Sequence, residues 1–379
     1  MKKISLYIHI PFCKSKCKYC DFLSFDNRED AIKEYINTLI HEINNYSSYV
    51  NDYEVSSIFI GGGTPSILSC EHIRKVFVAL KDNYNINRNA EITIEANPGT
   101  LTTEKIQALI DAGVNRVSLG LQSCNNNMLM TLGRIHTWED FLSNYNQIRE
   151  LGINNINVDL MFGLPNQTIK HWENDLRKII SLKPEHISCY GLIIEEGTRF
   201  YKMYNEGKIT LPSEEIERDM YWITHDILQN NNYKHYEISN FALDGKECYH
   251  NKVYWKEQEY IGIGLGASSY FKGYRYKNIS DFNEYINCNG NLDEIKEQIQ
   301  FIDEKTNIEE YMFLGLRLLE GINKLEFYNK WGKHINYYYK DIIIKLCNEK
   351  LLYEDDETIK LTAKGIDVSN YVLSMFLMD

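Results

Sequence analysis

Ser5-Leu6-Tyr7-Ile8-His9-Ile10-Pro11-Phe12-Cys13-Lys14-Ser15-Lys16-Cys17-Lys18-Tyr19-Cys20-Asp21-Phe22 is the stretch that decides the reading of this 379-residue chain. Ile4 to Ile10 is an apolar run of strand length. Pro11 ends it, because proline has no N–H to give a ladder. Three cysteines follow with the spacing C-x3-C-x2-C. Thiolates suit iron–sulfur clusters and zinc. A closed structural zinc site takes four ligands, and this loop offers three. In a 4Fe–4S cluster, three thiolates would hold three irons and leave the fourth open to another ligand.

Working outward, the chain repeats one rhythm six times. After the first strand, residues 27–50 read as a helix, with Ala31, Ile32, Tyr35, Ile36, Leu39, Ile40 and Ile43 at three- and four-residue steps. Strands are expected at Val55–Ile60, Glu91–Glu95, Arg116–Leu121, Ile156–Met161 and His186–Ile194. Helices are expected at 69–83, 102–112, from about 122 to Leu151, and 168–181. Alternation of this kind implies parallel strands joined by right-handed crossovers. The expected fold is therefore α/β, an incomplete parallel (β/α)6 barrel. In such barrels chemistry gathers at the C-terminal strand ends, and there lie Cys13, Gly63, Glu95, Gln122, Asp159 and Glu195.

After residue 200 the rhythm fades. A helix at 214–230 and a seventh edge strand near 233–241 are expected. Beyond them come Cys248-Tyr249-His250-Asn251-Lys252-Val253-Tyr254-Trp255 and the glycine-dense Gly262-Ile263-Gly264-Leu265-Gly266. The tail reads as helices at 307–320 and 336–349, then a hairpin of Leu351–Tyr353 and Ile359–Leu361. Thr362 is placed to N-cap a last helix, 363–377. This outline is a small, mostly α, winged-helix-like domain. The expected division is 1–240 for the barrel, 241–304 for a connecting segment and 305–379 for the tail domain.

Bulk properties narrow the class. A net charge of −12 argues against a long-range field for nucleic acid. Residues 305–379 hold ten Lys/Arg against twelve Asp/Glu, so the winged outline has no basic face for DNA. Nine cysteines without a regular framework do not describe a secreted disulfide scaffold. Neither a signal peptide nor a membrane span is read, and the reducing cytoplasm is the expected compartment.

The cysteine loop resembles the radical S-adenosylmethionine (SAM) superfamily: an apolar strand, C-x3-C, an aromatic residue and the third cysteine. The resemblance implies a 4Fe–4S cluster on Cys13, Cys17 and Cys20, with SAM chelating the open iron. In that superfamily the reduced cluster cleaves SAM to methionine and a 5′-deoxyadenosyl radical. Gly62, Gly63 and Thr64 match positions that line the methionine moiety. Tyr7 and Tyr19 match positions around the cluster and nucleoside. Glu95, Gln122, Arg134 and Asp159 match positions that contact SAM. Read without the family, Arg134 would be a helix-surface charge. His9 points toward the cluster loop as a candidate proton shuttle. Lys14, Lys16 and Lys18 interleave the cysteines, as a solvated face or as a surface for an acidic electron donor such as a flavodoxin or ferredoxin.

Tyr-Ile-His-Ile-Pro-Phe-Cys, Gly-Gly-Gly-Thr-Pro, Ile-Glu-Ala-Asn-Pro, Leu-Gly-Leu-Gln-Ser, Leu-Gly-Arg-Ile-His and Asp-Leu-Met-Phe-Gly-Leu-Pro, spread over residues 7–165, narrow the resemblance to the oxygen-independent coproporphyrinogen III oxidase family. One branch of it oxidatively decarboxylates two propionates of coproporphyrinogen III. The other is the HemW branch of heme chaperones. Three features favour the chaperones. The cluster strand begins by residue 4, without the extension of the dehydrogenases. Phe22 stands where the dehydrogenases place a fourth cysteine. His250-Asn251-Lys252-Val253-Tyr254-Trp255 is similar to the chaperones' HNxxYW motif. The resemblance thus implies heme ligated by His250 with Tyr254 and Trp255 packed on the porphyrin, delivery to membrane hemoproteins, and no coproporphyrinogen dehydrogenase activity. Cys248 beside the motif reads as a buried thiol. A homodimer fits this reading, although no stretch of sequence defines its interface.

Overall fold

In the computed structural model, which describes residues 1–378, Lys2–Ile10 is a strand, β1. Tyr53–Gly62 (β2), Ile86–Ala96 (β3), Arg116–Gln122 (β4), Ile156–Phe162 (β5) and His186–Gly191 (β6) follow it in that order, each parallel to the one before. The fold is α/β with a mainly parallel sheet. The six expected strands are present, each longer than its apolar run except the last, which stops at Gly191 rather than Ile194.

Alternation along the strands separates two faces. Ile4, Leu6, Ile8 and Ile10 join the apolar core shared with Ile36, Leu39 and Ile43 of the helix Ile32–Tyr46. The intervening positions carry polar groups that are nonetheless buried: Ser5 and His9 on β1, Ser57 on β2, Thr93 on β3, Arg116 and Ser118 on β4, Asn157 on β5, His186 and Ser188 on β6. Parallel sheets covered on both faces ordinarily read as continuous apolar runs. Here one covered face is polar, and that face is the interior of the barrel.

Several elements differ from the sequence reading. The stretch up to Leu151 is two helices, Asn126–Leu132 and Trp138–Glu150. Gly133 ends the first with φ of +79°, and a Thr137/Asp140 capping box starts the second. The expected edge strand near 233–241 is a hairpin of Lys234–Glu237 and Asn240–Ala242, antiparallel to β6. On the other side of β1 lies a further parallel strand, Tyr260–Ile263. It is four residues long and half glycine-flanked, too short to show a period. Antiparallel strands Ser268–Phe271, Tyr274–Asn278 and Lys296–Phe301 extend that edge, so that the described residues form a twelve-stranded sheet.

A second apolar core runs from Ile308 to Phe376. Its helices are Glu304–Gly315, Lys324–Trp331 and Asn336–Asn348, the middle one not expected from sequence. The hairpin Leu352–Glu354 and Thr358–Leu361 gains a third short strand, Ile322–Asn323. Thr362 caps as expected, accepting from the Gly365 amide, and the last helix is broken into Ala363–Asp367 and Ser369–Ser374.

Candidate functional site

The glycine turn after β2 is shaped by what it leans on. Gly62 has φ of +110°, and a Cβ there would stand 2.4 Å from the His9 ring. A Cβ on Gly63 would stand 2.7 Å from the Phe12 carbonyl oxygen. The Gly63 amide donates to the Ile10 carbonyl at 2.9 Å, and the Thr64 amide to Phe12 at 2.7 Å. The glycines therefore let the turn close on the end of β1. This seats the turn directly against the cysteine loop.

The loop is clamped from its other side. The Lys18 amide donates to Leu132 and the Phe200 amide to Lys18, at 2.9 and 2.8 Å. The Tyr19 ring packs near that of Phe200. Lys16 donates to the Phe22 and Ser24 carbonyls and Lys18 to that of Met130, so two of the three loop lysines brace backbone.

Cys13, Cys17 and Cys20 open onto one cavity of about 460 Å³, within the range of small-molecule sites. Tyr19, Gly62, Gly63, Thr64, Glu95, Gln122, Arg134, Asp159 and Glu195 line the same space. Tyr7 does not line it. Its hydroxyl is bonded to His9 Nδ1 at 2.9 Å, and its ring stacks on Phe59 behind the turn. His9 is likewise turned inward, with Nε2 2.9 Å from the Leu23 carbonyl. Both its nitrogens are held, which suits a packing role better than a proton shuttle.

Polarity in the cavity is arranged in layers. Arg134 follows Gly133 in a loop, not on a helix surface. Its Nη1 donates to Cys17 Sγ at 3.5 Å, and its Nη2 to Asn97 Oδ1 at 2.7 Å and to the Gly120 carbonyl. Asn97 also donates to Thr64 Oγ1, and Thr64 donates to Cys13 Sγ at 3.5 Å. Burial, and then the neighbouring Asp159, push Glu95 up to about 7. Asp159 is itself raised by burial while accepting from Asn157 and Ser118. Gln122 holds φ of +75°, a strained conformation that turns its side chain into the cavity.

These residues fit the cofactors that the sequence implies. The donor set is three thiols at one cavity mouth. Among the described residues no three His, Cys, Asp or Glu groups converge on a single ion. One thiolate on each of three irons needs no such convergence. Burial raises the Cys13 and Cys20 thiols, and metal coordination removes such protons outright.

The other predicted constellation lies elsewhere. His250 belongs to the short helix Tyr249–Trp255, which closes the floor of the barrel. Glu91 accepts from the Tyr249 and His250 amides at 3.0 Å each, fixing the start of that helix, and Cys248 donates its thiol proton to the same carboxylate. His250 is 1% exposed. Its Nδ1 lies 2.8 Å from Ser57 Oγ and its Nε2 2.9 Å from Tyr254 Oη. Burial, then the Arg116 guanidinium, lower its pKa to about 3. Trp255 is half-buried, its ring covered by the Arg317 guanidinium at 4.3 Å and its Nε1 buried without a hydrogen-bond partner. The sequence thus names two groups of residues, and the structure sets one at each end of the barrel interior.

Residues the sequence reading missed include Asn97, Arg116, Glu91, Ser57 and Phe59. Asn97 had a usable signal, being the first polar side chain past the end of β3. Arg116 had another: a charge inside an apolar strand must point inward or pair. Phe59 and Ser57 had none, since both are ordinary strand residues.

The chain matches the radical SAM superfamily over residues 7–179 and the HemN C-terminal domain over residues 302–368. It is 40% identical over 378 residues to the heme chaperone HemW of Lactococcus lactis, covering 100% of this chain and 98% of that protein. It is 37% identical over 377 residues to the heme chaperone HemW of Bacillus subtilis, covering 98% and 99%. Among solved structures, coproporphyrinogen III oxidase (HemN) from Escherichia coli superposes with a TM-score of 0.87 over 100% of this chain and 90% of that one. At 23% identity that likeness shows a shared fold.

Proposed function

Because the chain belongs to the radical SAM superfamily and, within it, to the family of HemW heme chaperones, we propose that it binds heme and delivers it to membrane hemoproteins. The observation that carries this reading is the full-length similarity to HemW proteins together with an intact HNxxYW segment, His250 to Trp255. A neutral imidazole is the form that ligates iron, and His250 is held neutral. To reach heme iron it gives up one bond, from Nε2 to Tyr254 or from Nδ1 to Ser57. In this reading residues 1–240 house SAM, 241–304 carry the heme motif, and 305–379 cover the floor of the barrel.

Bound through Cys13, Cys17 and Cys20, a 4Fe–4S cluster supplies a coordination position and one electron for SAM. Arg134, already oriented by Asn97, presents its guanidinium to the ligand's carboxylate. Glu95 and Asp159 offer hydrogen bonds to ribose hydroxyls or to the ammonium group. Phe22 and Ile193 are 62% and 69% exposed at the rim, an apolar mouth in place of a fourth thiol. We place the protein in the cytoplasm, with transient membrane contact, a reducing partner such as a flavodoxin or ferredoxin, and homodimerisation as a loaded state. No helix among the described residues is long and apolar enough to cross a membrane.

The test is anaerobic reconstitution followed by hemin titration. The parent should bind heme with a Soret band characteristic of axial ligation, and His250→Ala should lose it. Equal heme binding by both would overturn the assigned ligand. Conversion of coproporphyrinogen III to protoporphyrinogen by the reconstituted chain would overturn the chaperone reading in favour of the dehydrogenase.

A further inference from the structure

While His250 occupies the barrel floor, its ring is the lowest member of a continuous column. It stacks on Phe59, with centroids 5.2 Å apart and planes at 30°. Phe59 stacks in turn on Tyr7, at 6.3 Å and 28°. The Tyr7 hydroxyl is bonded to His9 Nδ1. The His9 ring fills the space beside Gly62 that a Cβ would need. The Gly62 amide donates to Glu95 Oε2 at 3.1 Å, and Glu95 lines the cysteine cavity. Every link from the floor to the cavity is a direct contact between buried or half-buried groups, with no gap filled by a flexible aliphatic chain.

The lower end of the column is pinned rather than merely packed. Ser57 bridges the Ser5 hydroxyl at 2.8 Å and His250 Nδ1 at 2.8 Å. Tyr254 holds the opposite nitrogen and packs edge-on against the same ring. The upper end is pinned by the Leu23 carbonyl on His9 Nε2. Protein interiors are dense enough to transmit small displacements. A void opened under Phe59 is relieved partly by the rings above it sinking. The glycine turn rests on the topmost ring.

We propose that His250 is a positioning residue for the SAM cavity: acting through Phe59 and Tyr7, it holds His9 against Gly62 and so sets the glycine turn and Glu95. This goes beyond the heme reading and does not require it. The two readings join at one point only. A ligand that withdraws His250 from Ser57 and Tyr254 also removes the foot of the column, and linkage then makes the affinities for that ligand and for SAM mutually dependent.

The experiment uses the full chain, anaerobically reconstituted and reduced, with SAM titrated against the electron paramagnetic resonance spectrum of the cluster. Phe59→Leu and His250→Ala should each weaken SAM binding by about tenfold, with cluster content per chain unchanged. His250→Phe keeps a stacking ring but has no ligating nitrogen, and it should retain most of the SAM affinity. A purely structural defect would lower the thermal midpoint and cluster loading without shifting the affinity of the loaded fraction. Parent-like SAM affinity in both Phe59→Leu and His250→Ala would overturn the proposal, as would equal weakening by His250→Phe and His250→Ala. Hemin titration of the same variants reads the earlier assignment separately, because His250→Phe should lose heme ligation and keep SAM.

Discussion

Arg134 shows how a single side chain can be both structural and available. Gly133 turns the chain with φ of +79°, and a Cβ there would stand 3.1 Å from Lys18 Cγ. The arginine is thereby delivered beside the cysteine loop, with its two terminal nitrogens shared among Cys17, Asn97 and Gly120. A lysine carries a single ammonium and cannot reproduce that fork. Hydrogen bonds to charged groups contribute about 1.5–3 kcal/mol. Arg134→Lys should therefore weaken SAM binding by about ten- to a hundredfold, measured by calorimetry on the reconstituted protein, with heme binding retained. The same scale explains Asn97, which touches both Arg134 and Thr64 and so ties the two sides of the cavity together.

At the scale of elements, the helix Ile32–Tyr46 is fastened to the sheet by one buried carboxylate. Glu42 accepts from the Gly264 amide at 3.0 Å, Asn278 Nδ2 at 2.6 Å and the Tyr285 hydroxyl at 2.8 Å. From the same helix, Tyr35 donates to the His9 carbonyl and accepts from the Leu265 amide. Burial pushes Glu42 up to about 7 from its ordinary 4.5. Between those values the native state keeps a proton that the unfolded chain has released. The contribution is thus complete below 4.5 and is lost as pH rises through 7. The stability advantage of the parent over Glu42→Gln should therefore shrink between about pH 5 and pH 8, on top of a cost of roughly 1–3 kcal/mol for the variant's mismatched donors. Urea midpoints of both proteins at the two pH values decide it.

Across the whole molecule, the C-terminal unit is bolted to the barrel rather than tethered. Arg275 forks onto Glu310 at 2.5 and 2.6 Å. Glu257 receives Lys330 and Asn307 at 2.5 and 2.6 Å. Main-chain bonds cross as well, from Ile238 to Arg317 and from Leu319 to Tyr236. Trp222 Nε1 donates to Asp367 at 2.7 Å. The helix Glu304–Gly315 also packs against Tyr249–Trp255, and Arg317 lies over the Trp255 ring, so the second unit covers one side of the HNxxYW helix. A double-mutant cycle on Arg275→Met and Glu310→Met should give a coupling of about 0.5–3 kcal/mol. A cycle that closes at zero would mean the fork contributes nothing to joining the two units.

The sequence by itself determined the order of the six parallel strands in the first 190 residues and most of the helices between them, because each strand carries an apolar helix-facing set and the helices after the first begin at Ser, Thr or Asn caps. It also determined the family, through cysteine spacing and short motifs that are local by nature. What it could not carry was that the edge strand expected near 233–241 is a two-strand hairpin, nor the parallel strand Tyr260–Ile263, whose few residues show no period until a neighbour pairs with them. Nor could it show that Tyr7 and His9 turn away from the cavity, since strand parity gives a face and not the neighbour waiting there. Tertiary structure alone decided that His250 lies under Phe59 with both nitrogens engaged. That contact joins residues 191 positions apart, and only closure of the barrel, with its polar interior and its helical floor, brings them to one column.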